Sequence, residues 1–270
     1  MKQYDKNNPL KVVTLCSGYD SQCMALERLK ETHPDFEYDL IAWSEIDKYA
    51  CQAHDLAFPQ FKGRNLGDMT KIDWSQVPDF DFLTYSTPCT DFSNAGLQKG
   101  GEEGSGTRSS ILWYTRNAIL AKRPKYLMME NVKALVGKKF FPLFAKWLNE
   151  LESYGYSNHY QVLNACDYGI PQNRERIFVI SIRRDVDEPR PQYTFPKPFP
   201  LEERMKDRLD KDVDEKYFLS DEQLDKFQFC DGSEADADWE SESEQHMVRC
   251  NKRSQQGLFT GRTHGNNNCK

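Results

Sequence analysis

No stretch of the sequence is apolar for the roughly 20 residues that a membrane-spanning helix needs. The opening MKQYDKNNPL lacks the apolar segment of a secretory signal. A cytoplasmic location is the expectation. Paired cysteines are also missing. Cys16, Cys23, Cys51, Cys89, Cys166, Cys230, Cys250 and Cys269 are scattered, with no CxxC and no Cys/His spacing of the zinc type. In a reducing compartment most are free thiols, so disulfide and structural-metal roles drop out and no metal is expected. A global basic excess is absent too, the net charge being −6 over 270 residues. That charge is uneven. Residues 231–244, DGSEADADWESESE, hold seven acids and no base, whereas residues 245–270 hold five Lys/Arg and no acid. The acidic tract alone exceeds the net charge, so the rest of the chain is near balance and a local basic face remains open to it.

What is present is a regular alternation. KVVTLC (11–16), YDLIAWSEID (38–47), DFDFLTYS (79–86), KYLMMENV (125–132), YQVLNA (160–165) and RIFVISI (176–182) read as strands. Residues 21–32, 48–58, 109–122 and 141–156 read as helices. Several strands are apolar on both faces. This pattern predicts an α/β domain, residues 11–185, with a mostly parallel twisted sheet covered by helices. Residues 186–200 are proline-rich and read as an extended linker, 201–229 have room for one or two short helices, and 231–270 read as poorly ordered. Residues 186–270 are therefore expected to form a linker and a small, partly disordered C-terminal region.

Ligands bind at the C-terminal strand ends of such sheets, and SGYDS, SEID, STPC and MENV all fall there. Each has a bland alternative. Gly18 allows a tight turn and a close ligand approach, yet Asp20 and Ser21 stand where later glycines of a nucleotide turn would be, and an ordinary strand–helix turn fits as well. Asp20 would repel a pyrophosphate, which favours a neutral or cationic nucleoside. Glu45 can accept two ribose hydroxyls or be an exposed acid, and Asp47 can cap the next helix. Asp68 in GDMT can accept from an adenine amino group or close an Asp turn. Cys89 lies in a loop past a strand end, either packed or reactive. Glu130 ends an apolar strand, where a carboxyl can hold a proton near neutrality, or it faces water. Gln172, Arg174 and Arg176 alternate, so an extended backbone puts them on one face, suited to a phosphate or base carbonyl or simply solvated.

Taken in order, SGYDSQ, SEID, GDMT, TPCTDFS, MENV and QNRER resemble the C5-cytosine DNA methyltransferases, over roughly residues 11–184. The resemblance implies a Rossmann-like S-adenosylmethionine-dependent methyltransferase fold in a bacterial or phage-encoded protein, with double-stranded DNA as partner. It implies that Ser17, Gly18 and Tyr19 meet S-adenosyl-L-methionine at the glycine turn, and that Glu45 holds its ribose. Ile46 would pack on adenine, Asp68 beside Met69 would meet the adenine amino group, and Pro88 would line the same pocket. Catalytic roles are implied for Cys89, Glu130, Arg174 and Arg176, and substrate-supporting roles for Ser93, Asn131 and Gln172. The chemistry accounts for the residue types. Thiolate addition by Cys89 at carbon 6 makes carbon 5 of cytosine enamine-like. Glu130 would hydrogen-bond the ring nitrogen and exocyclic amine as charge develops, and Arg176 would hold the base carbonyl. The base must leave the stack, and residues 93–108, with five glycines, would form a lid over it.

The family's final motif, a helix with a Gly-Asn-Ser type turn, is not visible, GNNNCK being a poor substitute, and a target-recognition domain is missing or minimal. The expectation is a C-terminally truncated or split enzyme, with room for a second chain that supplies the missing motif. Two other readings stay open: an RNA (tRNA) cytosine-5 methyltransferase, and an inactive fragment acting as a cofactor- or DNA-binding module. Amino-methyl transfer is disfavoured, because its Asp/Asn-Pro-Pro-aromatic loop has no thiol after the proline.

Overall fold

The computed structural model describes residues 4–92, 99–187, 193–224, 247–248 and 259–260. Ser93, the acidic tract and GNNNCK lie outside the described residues. In chain order come β1 (Leu10–Leu15), α1 (Ser21–Thr32), β2 (Tyr38–Ser44), α2 (Lys48–Ala57), β3 (Phe82–Tyr85), α3 (Thr115–Lys122), β4 (Tyr126–Val132), α4 (Phe141–Ser153), β5 (Tyr156–Asn164) and β6 (Glu175–Arg183). The strand order is β2-β1-β3-β4-β6-β5.

β2, β1, β3 and β4 are parallel neighbours, and β6 runs antiparallel beside β4. The sheet is therefore mixed, with its parallel part confined to four strands. The physical reason is the link from β5 to β6, which holds only a 3-10 turn at Ala165–Asp167. Parallel neighbours need a longer crossover, usually through a helix, and a link this short reverses the chain instead.

Side chains alternate across the sheet as strand geometry requires. Val13, Leu15, Leu83, Tyr85, Leu127 and Met129 share one core with Ile119 of α3 and Trp147 of α4. Leu10, Val12, Leu40 and Trp43 face the other way, onto Cys23 and Leu26 of α1 and onto Phe58 and Phe61. One irregularity interrupts the pattern: the β1–β2 register shifts by one residue between Val12 and Val13, from Val12↔Leu40 to Val13↔Ala42.

Several element boundaries differ from the sequence expectation. The helix expected at 109–122 opens as a 3-10 stretch, Arg108–Tyr114, before α3 begins. Serine hydroxyls compete for backbone groups there: Ser110 Oγ donates to Thr107 O at 2.6 Å and Ser109 Oγ to Pro88 O at 2.6 Å. α4 stops at Ser153 because Gly155 takes a left-handed φ of 87°, which frees Tyr156 to start β5. The extended run expected through Gln172, Arg174 and Arg176 is not continuous. β6 begins only at Glu175, and Gln172 lies in a bend whose amide donates to Ile170 O at 2.6 Å. Of the three, only Arg176 is on a strand.

The chain divides into two compact units, Met1–Val162 with Arg176–Phe195, and Leu163–Glu175 with Pro196–Lys270. The second contains short helical turns at Met205–Arg208, Glu215–Tyr217 and Asp221–Leu224. Within it the 164–174 loop is closed at its base. Arg174 N donates to Asn164 Oδ1 at 2.8 Å, and Asn164 Nδ2 donates to Asn173 Oδ1 at 2.7 Å.

Candidate active site

Register fixes where the candidate residues stand. Leu15 pairs with Ser44 and with Tyr85, and Tyr85 pairs with Met129. The turn after β1, the acid after β2, the loop after β3 and the end of β4 therefore share one rim. β6 enters the sheet at that same rim because it runs the other way, with Arg176 opposite Val132. Its guanidinium reaches Glu130, Nε to Oε1 at 3.1 Å, with side chains 22% and 24% exposed. Glu130 lies within β4, opposite Phe178. The apolar setting expected for it is thus replaced by a half-buried ion pair, because the partner strand delivers a cation.

The turn after β1 is held from two sides. Gly18, at φ 58°, donates its amide to Glu45 Oε2 at 2.9 Å. Glu45 Oε1 accepts from the Ile46 and Asp47 amides at 2.8 and 2.9 Å. Asp47 caps α2 through Tyr49 N and Ala50 N, as the sequence allows. Ser17 is buried, and among the described residues its hydroxyl has no hydrogen-bond partner. Tyr19 and Ile46, by contrast, are 54% and 76% exposed.

Asp68 uses Oδ1 on the Thr70 amide and hydroxyl, 3.0 and 2.7 Å away, and these bonds hold its carboxyl below the usual range. The Asp turn is therefore formed; Oδ2 lies 3.4 Å from Lys71 Nζ. Met69 is buried, its sulfur 3.4 Å from Cys16 Sγ. Burial first, then the Glu45 and Asp68 carboxylates, push the Cys16 thiol up to about 12. Both acids thus converge on the same turn.

Cys89 is a free, half-buried thiol in the loop after β3. The loop is braced on several sides. Asn131, 1% exposed, donates Nδ2 to Thr87 O at 3.1 Å. Its side chain thus holds the loop. Gln22 of α1 donates to Ser86 Oγ at 3.0 Å. Ser109 is fully buried and bonds on both sides of Cys89: its Oγ donates to Pro88 O, and its amide donates to Asp91 Oδ2 at 2.9 Å. The Asp91 amide donates back to Ser109 Oγ at 3.3 Å. Of the lid expected at 93–108, residues 99–108 are described, and they are tied down. Gly100 N donates to Asp91 O at 2.9 Å, Trp113 Nε1 donates to Gly101 O at 2.8 Å, and Glu103 pairs with Arg116 at 2.7 Å. A Cβ on Gly101 would come within 2.6 Å of the Phe92 ring and 3.0 Å of Ser109 O.

Sequence reasoning missed Ser109, Asp91 and Asn65. Asn65 accepts from Glu45 N at 3.2 Å and Gly67 N at 2.8 Å and donates to Glu45 O at 3.0 Å, joining the acid after β2 to the Asp68 turn. A polar residue flanking a glycine turn is the only local signal for it. Ser109→Ala is expected to lower stability by about 1–2 kcal/mol, since it removes the buried hydrogen bonds that brace the loop after β3. Denaturant unfolding of the variant against the wild-type chain checks this.

The family model for C-5 cytosine-specific DNA methylase matches residues 10–268, well past the 184 at which the sequence motifs stop. The chain is 52% identical over 161 residues to the type II methyltransferase M2.ScrFI of Lactococcus lactis subsp. cremoris, covering 60% of this chain and 44% of that protein. It is 36% identical over 178 residues to the type II methyltransferase M.HhaI of Haemophilus parahaemolyticus, covering 66% of this chain and 52% of that protein. The chain spans about half the length of the curated relatives it matches. Among solved structures it aligns with the Entamoeba histolytica methyltransferase EhMeth at TM-score 0.62 and 20% identity, over 79% of this chain and 63% of that one. DNMT2 of Spodoptera frugiperda aligns at TM-score 0.60 and 21% identity, over 77% and 61%. These two likenesses are of fold. With its motifs gathered on one rim, its α/β fold matched and the family model covering almost its whole length, the chain belongs to the C-5 cytosine-specific DNA methylase family.

Proposed function

We propose that the chain carries the catalytic core of an S-adenosylmethionine-dependent DNA (cytosine-5-)-methyltransferase that works through a covalent Cys89 adduct on a flipped cytosine. The observation that carries this reading is the common rim: the braced Cys89 loop and the Glu130–Arg176 pair stand at the same strand ends as the Gly18–Glu45 turn.

A small polar ligand with a flat ring fits that turn. The buried, unpartnered Ser17 hydroxyl would meet a polar group, the Glu45 carboxylate keeps one lone pair, on Oε2, for a ribose hydroxyl, and exposed Ile46 and Tyr19 would cover the ring. Asp68 and Met69 would close its far side, with Pro88 between them and the thiol. S-adenosyl-L-methionine, when bound, supplies a methyl group from its sulfonium. Cys89 adds as thiolate to carbon 6, and the electron pair passes to carbon 5 for methyl transfer. The carbon-5 proton then leaves to a base, and the Cys89 thiolate is expelled as the double bond re-forms. Glu130 stabilises charge at the ring nitrogen, and Arg176 orients Glu130 and offers donors to the base carbonyl. Arg174 and Gln172 belong to the second unit, and no step is assigned to them.

The test is to incubate the protein with labelled cofactor and duplex DNA containing 5-fluorocytosine, in parallel with RNA carrying the same base. Fluorine cannot leave as the proton does, so a trapped protein–DNA adduct is expected. An adduct with RNA alone would move the substrate to RNA. Cofactor binding with no adduct on either would leave a binding module.

A further inference from the structure

The group that the proposed mechanism leaves unused is buried beside the cofactor turn. Asp20 stands where a glycine would be expected and adopts a left-handed φ of 66°. Asp tolerates that region better than most residues, though at some cost. Its carboxylate does not face the rim, as the pyrophosphate argument assumed; it points inward and is fully buried. Oδ2 accepts from Thr14 Oγ1 of β1 at 2.6 Å, and Oδ1 accepts from Cys23 N, capping α1. His54 Nε2 of α2 lies 3.6 Å from Oδ2. His54 is also fully buried, stacked on Trp43 of β2 at 3.7 Å between ring centroids, and among the described residues neither ring nitrogen makes a hydrogen bond. Asp55 is the other carboxylate near it, 3.9 Å from Nδ1.

A buried carboxylate with two donors keeps acceptor positions open, and the edge of the His54 ring is placed against them, Nε2 lying 3.6 Å from Oδ2. The pair therefore ties together the two elements that flank the cofactor turn. α1 hangs from Asp20. α2 carries His54 on its buried side and has Glu45 just ahead of its first turn, where the Glu45 carboxylate holds Gly18 N.

We propose that Asp20 and His54 are positioning residues for cofactor binding: their contact locks α2 against the turn and so sets Glu45, Tyr19 and Ile46 relative to Gly18. This rests on the cofactor reading above. The two side chains act through the turn and touch no substrate.

Equilibrium binding of S-adenosylmethionine to the full chain, by calorimetry, tests it with Asp20→Asn, His54→Phe and the double variant. His54→Phe keeps the stack on Trp43 and removes the nitrogens. Each single variant is expected to weaken binding about tenfold, and the double variant no more than the worse single, since both lose one shared contact. In turnover, KM for the cofactor should rise by the same factor while kcat at saturating cofactor changes less than twofold. A lowered Tm with unchanged affinity would reduce the pair to a packing role and overturn the proposal, as would additive losses in the double variant. Should His54→Phe fail to fold, Asp20→Gly decides. Glycine takes the positive φ without strain, so weakened binding there supports the carboxylate's role and unchanged binding overturns it. A wild-type chain that binds no cofactor would instead sink the functional reading on which the pair depends.

Discussion

Replacing Cys89 by serine is expected to abolish the trapped adduct with 5-fluorocytosine DNA and to cut methyl transfer by roughly 10³-fold or more, the scale seen when a covalent nucleophile is removed. A hydroxyl adds to a pyrimidine ring far more weakly than a thiolate. Binding of S-adenosylmethionine should be unchanged, because the turn at Gly18 and the Glu45 carboxylate are built on β1 and β2, whereas Cys89 rides on the loop after β3. Cys16, the thiol beside the Gly18 turn, cannot stand in for it: burial and two carboxylates push it up to about 12, so it is protonated throughout the working range. Denaturing gels with labelled DNA and calorimetry with the cofactor read the two halves separately. A Cys89→Ser protein that still forms the adduct would remove Cys89 from the mechanism.

The second large effect is expected at Glu130. Glu130→Gln keeps the shape but removes the charge that pairs with Arg176 at 3.1 Å. It also replaces a hydrogen-bonding carboxyl with an amide whose donors and acceptor sit differently. Loss of one preorganised group that stabilises developing charge costs about 10²–10³-fold in rate. The drop should appear in single-turnover methyl transfer and in adduct formation alike, with cofactor affinity held. Arg176→Lys should not restore wild-type behaviour, because a point ammonium lacks the planar fork that can hold a carboxylate and a carbonyl together. A Glu130→Gln protein that turns over within tenfold of wild type would show that the pair serves the sheet edge and not the chemistry.

Much of the fold was legible because it depends on local patterning. Apolar runs such as KVVTLC and YLMMENV declare buried strands wherever they lie, and Asp47 announces a cap one residue before α2. The candidate site was legible as a set of strand-end residues, since parallel strands collect their C-terminal ends on one edge whatever else the chain does. What sequence could not give was the environment of each group. Glu130 in an apolar strand reads as a lone carboxyl until β6, running backwards, brings Arg176 across to it. Asp20 in a turn reads as a surface charge until α2 folds His54 over it. Ser109 and Asn65 carry no pattern of their own, because each acts by bonding to backbone far away in the chain. The alternation of Gln172, Arg174 and Arg176 misled for a related reason. Period two means a shared face only where a ladder holds the backbone extended, and the ladder starts at Glu175.

The one-residue slip between β1 and β2 changes how the edge of the sheet should be understood. Before it, Tyr38 and Leu40 point to the α1 side; after it, Trp43 does, and Ala42 turns to the opposite core. Ile41 thus acts as a phase inverter inside a single strand: odd and even positions exchange faces across it. Everything downstream inherits the second phase, including the Trp43 ring under His54 and the acid that follows Ser44. A chain with Ile41 deleted would close the ladder into an unbroken one, Leu40 opposite Val12 followed directly by Ala42 opposite Val13, and would leave Trp43, Ser44 and the acid after them in step with β1. The edge strand is where one reading frame, set by the core, is converted into another, set by the rim.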